Sequence, residues 1–373
     1  MAEVTLTGVT KRYGDAVAVR GVDLAVADGE FVTLLGPSGC GKTTTLHMVA
    51  GLIPPTSGVI AIGGRVVADA VRGRFVPPNK RNLGMVFQSY ALWPHMTLAA
   101  NIGYPLKLRR VPPQQRAARV HDLLSLVALD GLAERYPHEL SGGQQQRGAL
   151  ARALVGEPDI LLLDEPLSNL DAKLREELRA EIRRVQQSVG TTVLFVTHDQ
   201  DEAMALSDRV AVMRAGAIEQ VGTPRMIYEQ PATRFVAAFV GAVNLLDAVD
   251  DSGATRVIGA PDLVMPLAPP APSFSAVIRP EDIALTPDAG GASGTVGEIA
   301  SRTYLGDHAS YMVRVGTLTL RVTAPKTMES EPGAAVRLVV LHATALPVVQ
   351  EEGDGTARAS GPFDLPDVVR AIY

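Results

Sequence analysis

The chain has 373 residues, a length that predicts two domains at roughly 150 residues per domain. Hydrophobic residues make up 46% of the sequence and charged residues 20%, so the composition excludes a largely disordered protein. The 35 Lys and Arg against 40 Asp and Glu give a net charge of -5, which offers no electrostatic reason to expect a nucleic-acid partner, and the only cysteine, Cys40, excludes an intramolecular disulfide.

Residues 1–240 alternate short β-branched runs with helical patterns, which is typical of a mostly parallel sheet with helices on its faces. This region is therefore predicted to be an α/β domain. Buried strands are predicted at 31–35, 160–163 and 192–196, and helices at 113–133 and 171–189.

The composition changes after Asn244, where Pro and Gly become frequent and helical periodicity is lost. We therefore place a domain boundary near residue 240 and expect a small all-β barrel over 245–350. The polar, Gly-rich tail at 351–373 is expected to be loosely ordered. Alternating apolar runs predict barrel strands at 275–279, 310–315, 317–322 and 335–340, with a tight turn at Gly316 between the middle pair.

Two apolar stretches, 235–246 and 338–349, are too short to cross a membrane. Each has 12 residues, whereas a span needs about 18 or more. The first residues of the chain also lack the basic start and apolar run of a secretory signal. We expect any membrane role to be peripheral.

A glycine-rich loop between a predicted strand and a predicted helix matches the phosphate-binding pattern GxxxxGK[ST]. Its glycines let backbone N–H groups close around phosphate oxygens at a helix N-terminus. Lys42 would reach the β- and γ-phosphates, and the Thr43 hydroxyl would ligate Mg²⁺. A chance glycine turn is the alternative, and the strand and helix on either side argue against it. The loop consists of Gly36, Pro37, Ser38, Gly39, Cys40, Gly41, Lys42 and Thr43.

Cys40 lies inside this loop, and two interpretations of it stay open. Amide dipoles and Lys42 would favour its thiolate, which predicts inactivation by thiol reagents and protection by MgATP. Alternatively, Cys40 is a small residue that fills space.

An acidic pair, Asp164 and Glu165, follows the predicted strand that begins at Ile160. Phosphoryl hydrolysis needs a metal ligand and a group that orients water. We therefore predict that Asp164 holds Mg²⁺, directly or through water, and that Glu165 is the general base. Strand ends are often acidic, so the pair is informative only together with the glycine loop.

A second glycine turn, Ser141-Gly142-Gly143-Gln144, follows Leu140 and opens a helical pattern. It forms another nest of amides of phosphate size, yet one nucleotide does not need two nests in one chain. The redundancy makes sense if the second nest serves the nucleotide of a partner chain. At these residues the sequence resembles the ATP-binding cassette family, in which LSGGQ of one subunit closes over ATP held by the other. The resemblance implies a homodimer.

Further motifs of the same family occur in order over about residues 3–240. Tyr13 resembles the aromatic residue that stacks on adenine, and Gln88 resembles the glutamine that senses Mg²⁺ and the attacking water. Asp171 resembles the end of the loop that crosses the dimer interface, and His198 the switch histidine on the γ-phosphate. Each of these residues, taken alone, has a purely structural interpretation. Tyr13 would be a core tyrosine and Gln88 a surface glutamine, whereas Asp171 would be a helix N-cap and His198 a histidine at a strand end. The resemblance implies nucleotide contacts at Tyr13, residues 36–43, Thr44, residues 141–144 and Asp171.

Residues 245–350 resemble the small OB-like regulatory (TOBE) domain that follows the cassette in bacterial importers of the maltose and spermidine/putrescine type. The pieces that carry this resemblance are Arg279-Pro-Glu281 and Tyr304-Leu-Gly306. Related barrels bind nucleic acid, but 11 Asp and Glu against 7 Lys and Arg give this segment a net charge of -4, which argues against it. The resemblance implies an ATPase subunit at the cytoplasmic face of the membrane, working with two permease subunits and an extracytoplasmic solute-binding protein.

The segment 88–110 is rich in aromatic residues and Met and contains Trp93, the only tryptophan. It forms either the core of a subdomain or a docking groove for a partner helix, and the resemblance favours a groove for the permease. Residues 77–88 and 239–246 resemble polyamine, ferric-iron or phosphonate importers more than sugar importers. A sugar importer is the alternative, and an exporter subunit is a weaker one because exporters usually lack the C-terminal barrel.

Overall fold

The computed structural model describes residues 2–288 and 294–347. It divides into two units, Met1–Leu245 and Leu246–Tyr373. The tail at 351–373 lies outside the described residues. None of the helices in the described ranges is long and apolar enough to cross a membrane.

The first unit contains two β-sheets and the helices that pack on them. Its strands are β1 (Val4–Tyr13), β2 (Ala16–Val26), β3 (Phe31–Leu35), β4 (Ser57–Ile62), β5 (Arg65–Asp69), β6 (Arg74–Phe75), β7 (Leu83–Val86), β8 (Ile160–Asp164), β9 (Thr192–Thr197), β10 (Arg209–Arg214) and β11 (Ala217–Gly222). Its helices are α1 (Lys42–Ala50), α2 (Leu98–Leu108), α3 (Pro113–Leu126), α4 (Gly142–Leu154), α5 (Ala172–Val189), α6 (Gln200–Leu206), α7 (Pro224–Glu229) and α8 (Arg234–Phe239).

The central sheet has six strands in the order β11-β10-β3-β9-β8-β7. Strands β10, β3, β9, β8 and β7 are parallel, and only β11 pairs antiparallel. Every residue of β3, β8 and β9 is buried, as expected for parallel strands covered on both faces. The carboxyl ends of these three strands meet at one edge, where Leu35 pairs with Thr197 and Asp164 with Val196. This edge carries the loops that contain the predicted site residues.

The second sheet has the order β2-β1-β4-β5-β6, and its strands are antiparallel. Leu46, Met48 and Val49 of α1 lie in one core together with apolar residues of both sheets. Helix α1 is therefore held between the two sheets, which fixes its N-terminus at the edge described above. Helices α2, α3, α4 and α5 pack in a separate core on the other face of the central sheet.

Helix α3 ends at Leu126, earlier than the predicted end at residue 133. Ala128 adopts a left-handed backbone conformation with φ of 52°, which a right-handed helix does not accommodate. Gly131 also has a positive φ of 77°, so the chain turns after the helix instead of continuing it.

The second unit contains two β-sheets around one apolar core, and the five-stranded one is antiparallel throughout. The predicted strand segments coincide with β14, β17, β18 and β19 of the following list, with small shifts at their ends. The sequence did not reveal the other five strands, β12, β13, β15, β16 and β20. In β16, Gly297 and a register shift between Ile299 and Ser301 break the alternation. The strands are β12 (Asn244–Asp251), β13 (Ala254–Val257), β14 (Ser273–Ile278), β15 (Ile283–Pro287), β16 (Thr295–Tyr304), β17 (His308–Val315), β18 (Leu318–Pro325), β19 (Ala335–Val340) and β20 (Thr344–Pro347).

Candidate active site

The glycine loop, residues 36–43, joins the end of β3 to the start of α1. Gly39 and Gly41 have positive φ angles of 79° and 101°, which favour glycine. A Cβ atom at Gly41 would lie 2.5 Å from the carbonyl oxygen of Ala18, and one at Gly36 would lie 2.4 Å from that of Met213. The loop backbone is therefore packed directly against β2 and β10, and it presents the amides of the α1 N-terminus.

Lys42 is buried, and its side chain folds into the glycine loop. The Lys42 Nζ atom donates hydrogen bonds to the carbonyl oxygens of Gly36 at 2.7 Å and Pro37 at 3.0 Å. A cation and several backbone amides thus lie within one loop, an arrangement that suits the phosphates of a nucleotide.

Thr43 and Asp164 are brought together from α1 and the end of β8. Thr43 Oγ1 donates a hydrogen bond to Asp164 Oδ1 at 3.1 Å. Burial raises the pKa of the Asp164 carboxyl, and the hydrogen bond from Thr43 and the nearby His47 oppose that shift. Mg²⁺ prefers oxygen ligands and is usually held by one or two protein groups together with waters and substrate phosphates. The hydroxyl and carboxyl groups present here fit that ion.

His47 is a site residue that the sequence analysis missed. Its Nε2 atom is buried and lies 3.2 Å from Asp164 Oδ2. A signal was available, because His47 follows Thr43 by four positions and therefore lies on the same face of α1.

Glu165 and His198 face each other at the ends of the neighbouring parallel strands β8 and β9. Glu165 Oε2 lies 3.1 Å from His198 Nδ1. Glu165 has a positive φ of 44°, and its N–H donates to the carbonyl oxygen of Val196 at 3.0 Å. Strained backbone of this kind in a non-glycine residue is often found at functional sites. Glu165 and His198, two of the three residues predicted to be catalytic, therefore lie in one cluster with Asp164, and Gln88 is the third.

Gln88 follows β7 and has an exposed side chain. Its backbone carbonyl oxygen accepts a hydrogen bond from Asn169 Nδ2 at 3.0 Å, a contact that the sequence did not predict. Residues Ser168–Asp171, hereafter the 168–171 loop, are also held by Ser168, whose hydroxyl donates to the Glu165 carbonyl at 3.0 Å. The backbone at Gln88 and the acidic pair are therefore linked through this loop.

The segment after Gln88 is anchored to α4. Tyr90 and Ala91 have positive φ angles of 60° and 51°, and Arg152 of α4 donates hydrogen bonds to both carbonyl oxygens, at 3.0 and 2.6 Å. The Arg152 guanidinium also lies 4.8 Å from the centre of the Trp93 ring, which packs at 4.7 Å against Tyr104. Both rings are half-buried, whereas other apolar residues of α2 are buried in the helical core. The segment thus contributes to the core and also presents aromatic surface.

The Ser141–Gln144 turn begins α4 and forms a capping box. Ser141 Oγ accepts a hydrogen bond from the Gln144 N–H at 3.3 Å, and Gln144 Oε1 accepts one from the Ser141 N–H at 2.9 Å. A Cβ atom at Gly143 would lie 2.9 Å from a methyl carbon of Leu174 in α5, so close helix packing is one reason for glycine at that position.

Two other predicted residues lie at the edges of the unit. Asp171 is the N-cap of α5, since its Oδ1 atom accepts a hydrogen bond from the Leu174 N–H at 3.0 Å. Tyr13 ends β1 with 53% of its surface exposed, and Lys11 Nζ lies 5.0 Å from the centre of its ring. Its exposed face is available for stacking.

The structure overturns the thiolate interpretation of Cys40. The side chain is buried, and burial raises the pKa of the thiol even though Lys42 acts in the opposite direction. A Cβ atom added at Gly36 would lie only 2.7 Å from the Cys40 Sγ atom. The thiol therefore fills the space beside Gly36 in the loop. The prediction of a reactive thiolate is therefore wrong.

The fold and the site define a nucleotide-binding protein of the P-loop class, with the phosphate loop after one parallel strand and the acidic pair after another. Residues 19–168 match the ABC transporter family, and residues 276–346 match the TOBE domain. The chain is 48% identical over 335 residues to the Fe(3+) ions import ATP-binding protein FbpC of Brucella abortus, covering 88% of this chain and 92% of that protein. We conclude that the chain belongs to the ABC transporter family.

Other relatives carry different names. The trehalose/maltose import ATP-binding protein MalK of Thermococcus litoralis is 55% identical over 251 residues, which cover 67% of this chain and 68% of that protein. The spermidine/putrescine import ATP-binding protein PotA of Acidothermus cellulolyticus is 48% identical over 314 residues, covering 82% and 80%.

Solved structures of single cassettes agree with the first unit. The dimeric post-hydrolysis structure of the ATP-binding cassette MJ0796 bound to ADP and Pi has a TM-score of 0.52 and 33% identity, covering 60% of this chain and 99% of that one. CbiO1 from Clostridium perfringens, part of the complex cbiONQ, has a TM-score of 0.55 and 28% identity, covering 60% and 89%. The predicted fold class, a cassette followed by an all-β TOBE domain, is confirmed.

Proposed function

We propose that this chain is the ATP-hydrolysing subunit of a binding-protein-dependent importer, in which it powers the uptake of a small solute through a membrane permease. The observation that carries the proposal is the cluster at the edge of the central sheet. There Thr43 lies 3.1 Å from Asp164, and Glu165 lies 3.1 Å from His198. These residues supply, in one place, the metal ligands and the proton acceptor that phosphoanhydride hydrolysis requires.

Each side chain has a part in binding ATP. The amides of the glycine loop and Lys42 hold the β- and γ-phosphates, and Tyr13 stacks on the adenine ring. Thr43 and Asp164 would hold Mg²⁺, and Gln88, which follows β7, would sense the ion and the attacking water. When bound, the ion would neutralise charge on the phosphate oxygens.

Glu165 and His198 carry out the chemical step. Glu165 takes a proton from the attacking water, whose oxygen bonds to the γ-phosphorus as the bond to the β-phosphate oxygen breaks, so that ADP and inorganic phosphate are released. His198 contacts the γ-phosphate and orients the Glu165 carboxylate through the 3.1 Å contact. General-base catalysis of this type contributes a factor of about 10² to 10⁴ in rate.

A second copy of the chain completes each site. In a two-fold symmetric dimer the same surfaces of both chains meet. The Ser141–Gln144 turn of one chain then closes over the ATP held by the other, and Asp171 lies at the interface. The solved cassette MJ0796 is dimeric with ADP and Pi bound, which supports this arrangement.

The remaining partners follow from the importer assignment. The chain acts at the cytoplasmic face of the membrane with two permease subunits, which dock on the half-buried aromatic surface of residues 88–110, and with an extracytoplasmic solute-binding protein. The substrate is a polyamine or ferric iron, as in the names of PotA and FbpC, which the chain matches over most of its length. A sugar is the second candidate, because the trehalose/maltose import protein MalK is 55% identical to the chain over 251 residues.

Reconstitution tests the proposal. The chain should be assembled in proteoliposomes with the permease and solute-binding protein encoded beside it, and spermidine, ferric iron and maltose should be offered separately. We expect ATP-dependent uptake of one solute, and stimulation of ATP hydrolysis by its loaded binding protein. Uptake that persists without ATP, or ATP-driven movement in the outward direction, would contradict the proposal.

A further inference from the structure

Arg175 lies in the first turn of α5, and its guanidinium connects three segments. Nη2 donates a hydrogen bond to the carbonyl oxygen of Leu170 at 3.1 Å. Nη1 donates to Asp199 Oδ2 at 3.2 Å, and Nε lies 3.8 Å from Glu202 Oε1. The side chain therefore joins the 168–171 loop to the start of α6.

The two acidic partners of Arg175, Asp199 and Glu202, hold the residues on either side of His198. Thr197 Oγ1 donates a hydrogen bond to Glu202 Oε2 at 2.5 Å and accepts one from the Asp199 N–H at 3.0 Å. Asp199 also caps α6 by accepting a hydrogen bond from the Glu202 N–H at 3.0 Å. The residues immediately before and after His198 are thus both fixed by groups that Arg175 contacts.

The other end of the network is the 168–171 loop. Leu170, whose carbonyl accepts from Arg175, lies next to Asp171 in the chain. The same loop bonds to the backbone of Glu165 through Ser168 and to that of Gln88 through Asn169, both at 3.0 Å. One cation therefore contacts the loop that the proposed function places at the dimer interface and the acids that flank the switch histidine.

Stability alone does not account for this arrangement. The pair with Asp199 joins side chains that are 29% and 25% exposed and contributes only about 0 to 1 kcal/mol, and the pair with the buried Glu202 is long, at 3.8 Å between Nε and Oε1. A guanidinium with a planar fork of donors instead gives geometric precision when it contacts several acceptors. The main effect of the Arg175 contacts is therefore to fix the positions of Leu170 and Asp199 relative to each other.

We propose that Arg175 is a positioning residue that holds His198 against Glu165 and makes this alignment depend on the position of the 168–171 loop. The inference rests on the proposed function, because it assumes that His198 and Glu165 act on ATP. When the partner chain moves Leu170, the guanidinium moves with it and shifts Asp199 and the neighbouring His198. A displacement of about 1 Å at a reacting group can lower the rate about 10²-fold. A shift of His198 by that distance is therefore sufficient to switch hydrolysis on or off.

The first test compares Arg175→Met and Arg175→Lys with a matched control on the same helix. Arg183 of α5 also forms an ion pair, with Asp208, and its side chain is 26% exposed. We expect Arg175→Met to lower kcat by about 10- to 100-fold with KM for ATP within about threefold of wild type, because alignment rather than binding is lost. The kcat of Arg175→Lys should lie between those of Arg175→Met and wild type, and Arg183→Met should have the kcat of wild type.

Unfolding in urea separates positioning from a structural role. The midpoint for Arg175→Met should fall no further than that for Arg183→Met. If instead kcat is unchanged, or falls only in proportion to the fraction unfolded, the proposal is overturned. Should Arg175→Met fail to fold, Asp199→Asn keeps the oxygen that caps α6 and removes the charge that Arg175 contacts. It should lower kcat in the same direction, and an unchanged kcat overturns the proposal.

A double-mutant comparison tests whether Arg175 acts through His198. The variant carrying both Arg175→Met and His198→Ala should hydrolyse ATP no more than about threefold more slowly than His198→Ala alone, because residues that act as one unit are not additive. Rates that multiply would show independent roles and overturn the proposal. Absence of hydrolysis in wild type and in Arg183→Met would instead refute the proposed function itself.

Discussion

Replacement of Arg81 by Met should destabilise the first unit strongly. Arg81 is 0% exposed, and its guanidinium donates hydrogen bonds to the carbonyl oxygens of Val76 at 2.7 Å and of Met48 and Val49 at 2.8 Å. Met48 and Val49 lie in the last turn of α1, whose carbonyls have no partner within the helix and favour a cation. Burial lowers the pKa of Arg81 to about 10, so the side chain stays charged at neutral pH. The hydrogen-bond acceptors of its guanidinium are backbone carbonyls.

The expected magnitude follows from these contacts. Met fills a similar volume but leaves the Val76 and Val49 carbonyl groups without their Arg81 donor, whereas the Met48 carbonyl keeps a hydrogen bond from the Gly51 N–H at 3.2 Å. Each unsatisfied group costs about 1 kcal/mol or more. Loss of the cation over the Phe75 ring, 5.2 Å away, removes about 0.5 to 1 kcal/mol. Relief of the cost of burying a charge acts in the opposite direction. We expect a net loss of about 2 kcal/mol in the free energy of unfolding.

Tryptophan fluorescence during urea unfolding measures this loss in the correct unit, because Trp93 is the only tryptophan and belongs to the first unit. Arg72→Met is the control, since the Arg72 side chain is 81% exposed and pairs with Asp69 at 3.6 Å. The control should stay within about 0.5 kcal/mol of wild type. A loss below about 1 kcal/mol for Arg81→Met would refute the argument that its hydrogen bonds hold α1 in place.

Three further predictions concern the site and the two units. His47→Leu should raise the Mg²⁺ concentration needed for half-maximal nucleotide binding, because it removes the ring that faces the Asp164 carboxylate, and His47→Gln should raise it less; an unchanged Mg²⁺ dependence would contradict this role. Cys40 should react slowly with iodoacetamide at neutral pH and faster as pH rises towards its raised pKa or when urea unfolds the chain, so rapid labelling of folded protein at neutral pH would be inconsistent with a buried thiol. Residues 1–245 should fold and bind ATP alone but self-associate more weakly than the full chain in sedimentation, since linked domains raise the effective concentration for closure; equal self-association would exclude a role of the second unit in dimerisation.

The motifs allowed the fold class and the family to be predicted because each combines a local pattern with a fixed structural context. The loop at 36–43 predicted a strand before it and a helix after it, and β3 and α1 occur there. The boundaries were less predictable. The end of α3 depends on the left-handed conformation of Ala128, and β16 is interrupted by an irregular register, neither of which has a strong signature in the sequence.

The contacts that organise the site were largely hidden from the sequence because they join residues far apart in the chain. Arg152 reaches the backbone of Tyr90, and Asn169 reaches that of Gln88. Such contacts are defined by the packing of helices on the sheet rather than by spacing. The Cys40 thiolate was predicted from nearby dipoles and a cation, but burial has the larger effect on its pKa.

The role of Glu165 as general base is the central claim, and Glu165→Gln tests it most directly. The substitution keeps the shape of the side chain and removes its ability to take a proton. Single-turnover hydrolysis of ATP should be compared among wild type, Glu165→Gln and Glu177→Gln, a control at an exposed position of α5. We expect Glu165→Gln to bind ATP normally, to hydrolyse it about 10² to 10⁴ times more slowly, and to accumulate an ATP-bound dimer in sedimentation. Hydrolysis by Glu165→Gln at more than about a tenth of the wild-type rate would contradict the account.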